Sequence, residues 1–272
     1  MTDSESSDTP EYDEPRILLV DMNEETAGLL AEEGFNVADA SLGKPYKVDK
    51  EAKYHRVVQN ANFPRDYKEH DIVVLDMSFE VQDEKDTRPD LAQDVDGWWA
   101  SHHRGYVNPR PLLGGQVQDD FDRILNNEGV FIIFADRVDR HKFRWGTKKG
   151  SFNEFYGEKP ITVGNWNFLS LLSQVSVTND FGSFVEVVEG EGPLVQLLSA
   201  HSSEADFECV VSPRYEVKEK WLGLLENKFG RTVGTAILPD EEKGREGFVF
   251  VFPQIQNKGE FTAELIKEVL PV

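Results

Sequence analysis

Three short runs of consecutive apolar residues divide the first half of the chain. They are residues 16–21 (RILLVD), 70–76 (HDIVVLD) and 129–134 (GVFIIF). Unbroken apolar runs of this length are typical of parallel β-strands that are buried on both faces. A fourth run, residues 247–252 (GFVFVF), predicts one more strand near the end of the chain.

Apolar residues at helical spacing fall between these runs. Residues 24–33 combine Ala27, Leu29 and Leu30 with acids in the first turn and stop at Gly34, which predicts a helix that ends at a glycine. Residues 118–127 and 258–270 show the same spacing. A strand over residues 35–40 would complete a β-α-β unit, so the first half predicts an α/β protein with a parallel sheet.

The second half of the chain has a different pattern. Residues 150–246 predict a β-rich part, in which short apolar runs at 173–178, 183–188, 194–198 and 207–212 are interpreted as strands. Residues 221–225 and 232–238 predict a hairpin around a turn that contains Gly230.

The predicted domain organisation is simple. Residues 1–14 hold six acids and no Lys or Arg, which predicts a disordered acidic tail. Residues 15–272 are predicted to form a single α/β domain. Within it, residues 77–116 form a long insertion that we expect to cover one edge of the sheet, because long connections in compact domains tend to carry function.

Charge narrows the classes of partner. The 272-residue chain holds 50 Asp and Glu against 29 Lys and Arg, a formal net charge of −21. Binding to nucleic acid in general is disfavoured, because phosphate affinity comes from Lys and Arg. The acid excess would also suit a cytoplasm of high salt, where the repulsion between carboxylates is screened.

The cysteine count and the hydropathy pattern add further limits. Cys209 is the single cysteine, so an internal disulfide bond is excluded. No apolar run approaches the roughly 18–20 residues that span a bilayer. The polar, acidic N-terminus differs from a signal peptide. We therefore expect a cytoplasmic protein with no membrane partner, whose oligomeric state the sequence leaves open.

The order of these elements resembles class I glutamine amidotransferase-like domains, including their ThuA-like branch. The resemblance covers residues 15–40, 70–76, 118–136 and 247–270, with EGVFIIF and GFVFVFPQI as its main features. It implies a flavodoxin-like three-layer sandwich with a mainly parallel central sheet. Family members that hydrolyse glutamine carry a nucleophilic cysteine at a glycine-flanked turn after a central strand. This chain has Phe134-Ala135-Asp136-Arg137 there, which argues against glutamine hydrolysis.

A second resemblance concerns the motifs RILLVDMN and HDIVVLDMS. They are similar to the first and third strands of phosphoacceptor receiver domains, whose aspartates bind Mg²⁺ and accept phosphate. The resemblance implies that Asp21 is one of the metal-binding acids and that Asp76 is the acceptor. Met22 replaces the usual second acid, and no convincing Thr or Lys position follows, so phosphotransfer is not expected.

The strand ends and the segment after residue 134 supply two candidate sites. Asp21, Asp76 and Asp136 would meet at the carboxyl edge of the sheet and could hold Mg²⁺, although strand-end aspartates commonly serve turns and helix caps instead. The segment from Arg137 to Lys149 is predicted to be a loop rich in Arg and Lys that could bind a nucleotide-like anion or neutralise the protein's own acids. The candidate ligand contacts are Asp136, Arg137, Arg140, Lys142, Arg144, Arg104 and Arg110.

Other chemistries have weaker support. His102 and His103 lack the further ligands of a zinc site, and Cys209 is expected to be an inert buried thiol. Phosphate-binding loops and the serine-hydrolase elbow are absent from the sequence.

The leading hypothesis is a non-catalytic amidotransferase-like domain, with no cofactor, that binds a small anionic ligand or a protein partner at the carboxyl edge of its sheet. One alternative is a hydrolase that uses a divalent metal such as Mg²⁺ at Asp21, Asp76 and Asp136. Another is a structural subunit of a larger assembly.

Overall fold

A computed structural model describes residues 15–41, 45–47, 57–59, 62–77, 99–101, 115–136, 140–149, 152–162 and 168–270. Side chains are described for residues 15–41, 62–77, 117–136 and 168–270. The predicted acidic tail, residues 1–14, lies outside this part of the chain.

Sixteen strands are found in the described residues. They are β1 (Arg16–Val20), β2 (Asn36–Ala40), β3 (Pro45–Lys47), β4 (Val57–Gln59), β5 (Ile72–Asp76), β6 (Trp99–Ser101), β7 (Val130–Phe134), β8 (Arg140–Lys149), β9 (Phe152–Thr162), β10 (Val175–Gly182), β11 (Val185–Val187), β12 (Ala205–Pro213), β13 (Trp221–Asn227), β14 (Thr232–Ile237), β15 (Phe248–Phe252) and β16 (Gln254–Ile255).

Eight strands form one mixed sheet in the order β11-β13-β14-β15-β7-β5-β1-β2. The five strands from β15 to β2 run parallel to one another, and β14, β13 and β11 join them through antiparallel pairs. The protein is therefore an α/β protein, and the strands predicted from the unbroken apolar runs lie side by side in its central sheet.

Four α-helices accompany the strands: α1 (Glu24–Glu32), α2 (Gly115–Asn126), α3 (Pro193–His201) and α4 (Lys258–Glu268). Helix α1 begins at Asn23, whose side chain accepts a hydrogen bond from the backbone N–H of Thr26, and Gly34 follows its end with a positive φ of 94°. The glycine and the acids of the first turn, Glu24 and Glu25, match the predicted helix, whereas the Asn23 cap was not predicted. Short 3₁₀ helices lie at Tyr67–Glu69, Ser170–Gln174, Ser202–Glu204, Tyr215–Lys220 and Glu241–Lys243.

Each face of the large sheet buries its own hydrophobic cluster. One cluster joins alternate residues of the parallel strands, such as Leu18 and Ile133, to Phe121 of α2 and Phe168. The other joins the intervening positions, such as Leu19 and Ile132, to Phe261 of α4. Burial on both faces explains why these strands are apolar at every position rather than at every second one.

Smaller sheets complete the described structure. Strands β3 and β4 form a pair, β10, β12 and β16 form a sheet of three, and β6, β8 and β9 form another. The predicted hairpin is confirmed as β13 and β14, with Gly230 at φ 68° in the turn.

Two local predictions are wrong. Residues 194–198 belong to helix α3, which begins with Pro193 at a position where proline is favoured, and not to a strand. The basic segment is not a loop, because residues 140–149 form strand β8, paired with β9 along its length. Backbone pairing with β9 satisfies the N–H and C=O groups that a loop would leave to solvent.

Candidate functional site

The three aspartates predicted at strand ends lie at or just after the carboxyl ends of neighbouring strands of the sheet. Asp21 follows β1, Asp76 is the last residue of β5, and Asp136 lies two residues after β7. Strands β1, β5 and β7 are consecutive in the sheet and parallel, with Val20 opposite Leu75 and Asp76 opposite Phe134. These aspartates therefore lie along one edge of the sheet, the carboxyl edge, where open α/β sheets bind ligands.

Asp76 is buried, with 8% of its surface exposed, and both of its carboxylate oxygens accept hydrogen bonds. Lys258 Nζ donates to Oδ2 at 2.5 Å, and Gln254 Nε2 approaches Oδ1 at 3.3 Å. The same amide nitrogen also lies 3.2 Å from the carbonyl oxygen of Phe134 and 3.0 Å from that of Ala135. Gln254 thus links the carboxyl ends of β5 and β7.

Lys258 is the first residue of α4, and its side chain is only 15% exposed. A cation at the N-terminus of a helix opposes the helix dipole, which costs about 0.3–1 kcal/mol. The carboxylate of Asp76 offsets that cost, and the ammonium also lies 5.8 Å from the centre of the Phe134 ring. The buried ion pair ties the C-terminal helix to the middle of the sheet.

Sequence reasoning missed Lys258 and Gln254 altogether. No lysine was identified in the sequence as a partner of Asp76, because Lys258 lies 182 positions away in sequence and meets Asp76 only in the fold. The signal that could have revealed them is the polar segment Gln254–Lys258, which follows the last parallel strand. The carboxyl-edge rule that drew attention to the aspartates applies to this segment equally.

Asp21 adopts a left-handed backbone conformation, with φ 55°. Its carboxylate accepts a hydrogen bond from Ser41 Oγ at 2.5 Å, and its backbone N–H donates to the carbonyl oxygen of Ala40 at 2.9 Å. Asp and Asn are the residues other than glycine that adopt this conformation most readily. Asp21 therefore turns the chain out of β1, one of the roles considered from the sequence, and its hydrogen bonds tie the carboxyl end of β1 to that of β2.

Asp136 is half-buried and lies near Cys209 of β12. Burial, followed by the charges of Asp136 and Glu208, raises the pKa of the Cys209 thiol from 9.0 to about 12. The thiol is only 3% exposed. A buried, protonated thiol is a poor nucleophile, which agrees with the prediction that Cys209 is inert.

A divalent cation at this edge would need several oxygen ligands arranged around it. Among the described residues, no group of three or more His, Cys, Asp and Glu side chains is arranged to hold a metal ion. At Asp76 the position beside Oδ2 is taken by an ammonium, and Mg²⁺ would require that oxygen at about 2.0–2.1 Å. In this arrangement Asp76 is not suited to act as a metal ligand. The metal set Asp21, Asp76 and Asp136 stays an alternative prediction.

The predicted anion contacts are described only in part. Arg140, Lys142 and Arg144 occupy alternate positions of β8, opposite Thr162, Pro160 and Glu158 of β9. Arg104, Arg110 and Arg137 lie outside the described residues. Strand β6 comes from the segment that follows β5, and it pairs with β8, which comes from the segment that follows β7. The two long segments therefore join in one small sheet.

The opposite, amino edge of the sheet carries a cavity that the sequence did not predict. Its volume is about 690 Å³, and its lining includes Asp120, Arg123, Glu128, Glu246 and Phe248. Asp120 is buried there. It accepts a hydrogen bond from Tyr67 and forms an ion pair with Arg123. These contacts are internal to the protein.

Comparisons with known proteins do not assign a family. No protein-family model matches the sequence, and no curated protein matches it significantly. Across the part of the chain that the structure describes, no helix is both long and apolar enough to cross a membrane.

Proposed function

We propose that this protein is a non-catalytic, amidotransferase-like binding domain that takes a small anionic ligand at the carboxyl edge of its sheet. Strand β8 would supply the cations, through Arg140, Lys142 and Arg144. Asp136 and Arg137 would lie where the ligand meets the sheet. A protein partner that presents an anionic group would use the same edge.

One observation carries this proposal: the long segments of the chain leave the sheet at its carboxyl edge. They follow β2, β5 and β7, at residues 41–66, 77–114 and 135–167. By contrast, the connections that enter β2, β5 and β7 from the preceding helices are two or three residues long. Proteins place binding and catalytic residues on long loops that a rigid sheet supports, so this asymmetry supports a site at that edge.

The charge of β8 supports an anion as the ligand. Its ten residues, RHKFRWGTKK, hold five Lys and Arg and no acid, in a chain of net charge −21. Arginine binds phosphate and carboxylate groups through paired hydrogen bonds. The pairing of β8 with β6 supports the prediction that the insertion after β5 covers this edge.

The strand order supports the expectation of a flavodoxin-like fold. Numbered along the chain, the parallel strands β2, β1, β5, β7 and β15 follow the order 2-1-3-4-5, which is the flavodoxin-like order. In such sheets ligands bind beyond the carboxyl ends, near the first and third strands. Those strands are β1 and β5 here.

The absence of a suitable cysteine supports binding over glutamine hydrolysis. Ala135 and Asp136 follow β7, where amidotransferases keep their nucleophile, and the single cysteine lies in β12 with a raised pKa. Covalent catalysis by a thiolate has no candidate in this sequence.

The experiment is a thermal-shift and calorimetric screen with nucleotides, sugar phosphates and di- and tricarboxylates. We expect at least one anion to stabilise the wild-type protein. The variant Arg140→Ala/Arg144→Ala should weaken that binding by about tenfold or more, because a charge-assisted hydrogen bond contributes about 1.5–3 kcal/mol.

The matched control is Lys218→Ala/Lys220→Ala, which removes the same charge from the 3₁₀ turn before β13, at the amino edge of the sheet. It should bind as the wild type does. Equal binding by all three proteins, or no response to any anion, would contradict the proposal that β8 binds an anionic ligand.

A further inference from the structure

The contact between Lys258 and Asp76 bears on whether the carboxyl edge uses a metal. We propose that Lys258 is the resident cation of this edge and that its ammonium excludes a divalent metal ion from Asp76. The inference rests on the carboxyl edge being the site proposed above. It goes further, because it assigns a role to a residue that the ligand hypothesis does not use.

The first argument is geometric. The ammonium lies 2.5 Å from Asp76 Oδ2, and Gln254 Nε2 lies 3.3 Å from Oδ1, so each carboxylate oxygen already has a donor. A metal ion needs lone pairs of the carboxylate that point toward it. Binding at Oδ2 would require Lys258 to leave a side-chain position that is 85% shielded from solvent.

The second argument is electrostatic. Asp21, Asp76 and Asp136 follow three adjacent strands, which concentrates negative charge along a short length of the sheet. Such an edge needs a counter-charge, because like charges that are partly removed from water repel strongly. Lys258 supplies a positive charge from within the chain, and a second cation beside it would be repelled.

The third argument concerns where Lys258 lies. The first turn of a helix is an unfavourable place for a cation and a favourable one for an acid. Lys258 nevertheless occupies the first position of α4, and its ammonium makes one described hydrogen bond, to Asp76. The placement is understandable if its role is to neutralise Asp76.

The experiment compares the wild type with Lys258→Ala and Lys258→Met in the presence of Mg²⁺ or Mn²⁺, at constant ionic strength. Both variants lose the ammonium and leave Asp76 without its cation, which should lower the melting temperature by roughly 10 °C. In Lys258→Ala the vacated space admits a divalent ion, so Mn²⁺ should restore much of that loss. The methionine side chain fills the space, so Lys258→Met should recover little.

Because an acidic protein binds divalent ions weakly over its whole surface, the double variant Asp76→Asn/Lys258→Ala sets the background. We expect Mn²⁺ to bind Lys258→Ala at least about tenfold more tightly than it binds the wild type or the double variant, since one unit charge is removed at short range. Calorimetry measures these affinities directly.

Two results would overturn the inference. One is specific Mg²⁺ or Mn²⁺ binding by the wild type that Asp76→Asn abolishes. The other is a Lys258→Ala response equal to that of the double variant. If Lys258→Ala does not fold, the wild-type and Asp76→Asn titrations still decide the first point. The anion screen is a separate measurement on the wild type, so failure there and failure here are distinguishable.

Discussion

The hydroxyl of Tyr67 donates a hydrogen bond of 2.5 Å to the buried carboxylate of Asp120. Tyr67 lies in the 3₁₀ turn before β5, and Asp120 lies in α2, so the bond fastens the helix to the segment that leads into the sheet. Phe63 and Phe121 pack around the tyrosine ring. This contact supports the amino end of the sheet, away from the proposed site.

Replacing Tyr67 with Phe tests that contact. The variant keeps the ring but removes one donor from a carboxylate that is only 3% exposed, so we expect a loss of about 1–3 kcal/mol in the free energy of unfolding. Chemical denaturation measures the loss. An unchanged stability would show that Asp120 does not depend on Tyr67.

The same contact predicts a dependence on alkaline pH. Burial, followed by the hydrogen bond and the charge of Asp120, raises the pKa of Tyr67 well above its ordinary value of 10.0. The unfolded chain therefore releases this proton at a lower pH than the folded protein does. The stabilisation is complete below about pH 10 and declines as the pH rises further, so denaturation curves of the wild type should lose stability there more steeply than those of Tyr67→Phe.

Cys209 gives a prediction about reactivity. With its pKa raised to about 12, the folded thiol is ionised to the extent of only about one part in ten thousand near pH 8. A thiol reagent should therefore react slowly with the native protein and rapidly after denaturation. Rapid labelling of the native protein would contradict the buried position and reopen a nucleophilic role.

The parts of the fold that sequence predicted best are those set by local patterning. The strands β1, β5, β7 and β15 are short continuous apolar runs that contain Ile, Val or Phe, and their length and this composition favour a buried strand over a helix. The acids Glu24 and Glu25 and the glycine at position 34 mark the two ends of α1 for equally local reasons.

The features that the sequence analysis predicted wrongly or overlooked depend on a competing local signal or on contacts between distant parts of the chain. Residues 194–198 look like a strand by composition, but Pro193 begins a helix there, and Leu197 and Leu198 pack into the core from one helical face. Residues 140–145 alternate Arg and Lys with His, Phe and Trp, a period of two that is typical of a strand. The interpretation as a loop gave more weight to the cations of this segment than to that alternation. Lys258 meets Asp76 because the sheet brings β5 and the start of α4 together. The sequence pattern places both residues at the carboxyl edge of the sheet, but it does not show which side chains of that edge touch.

Glu128 gives a prediction about helix termination. It follows α2 with φ 63°, a conformation that favours glycine or asparagine over a residue with a longer side chain. Glu128→Gly should therefore stabilise the protein by about 0.5–1 kcal/mol. The matched control is Glu32→Gly in the last turn of α1, where helical φ makes glycine unfavourable and the sign should reverse. Loss of stability in both variants would contradict the prediction.

Asp21 tests whether the carboxyl edge needs a charge at the end of β1 or only a turn residue. Asn accepts the left-handed conformation and keeps an oxygen for the Ser41 hydroxyl, so Asp21→Asn should retain most of the stability. Asp21→Ala loses both features and should cost about 1–3 kcal/mol more. Denaturation measures this difference, and the anion titration should be unchanged in Asp21→Asn if β8 supplies the contacts. A large loss of anion binding in Asp21→Asn, with stability preserved, would instead make Asp21 a ligand contact and move the site toward β1.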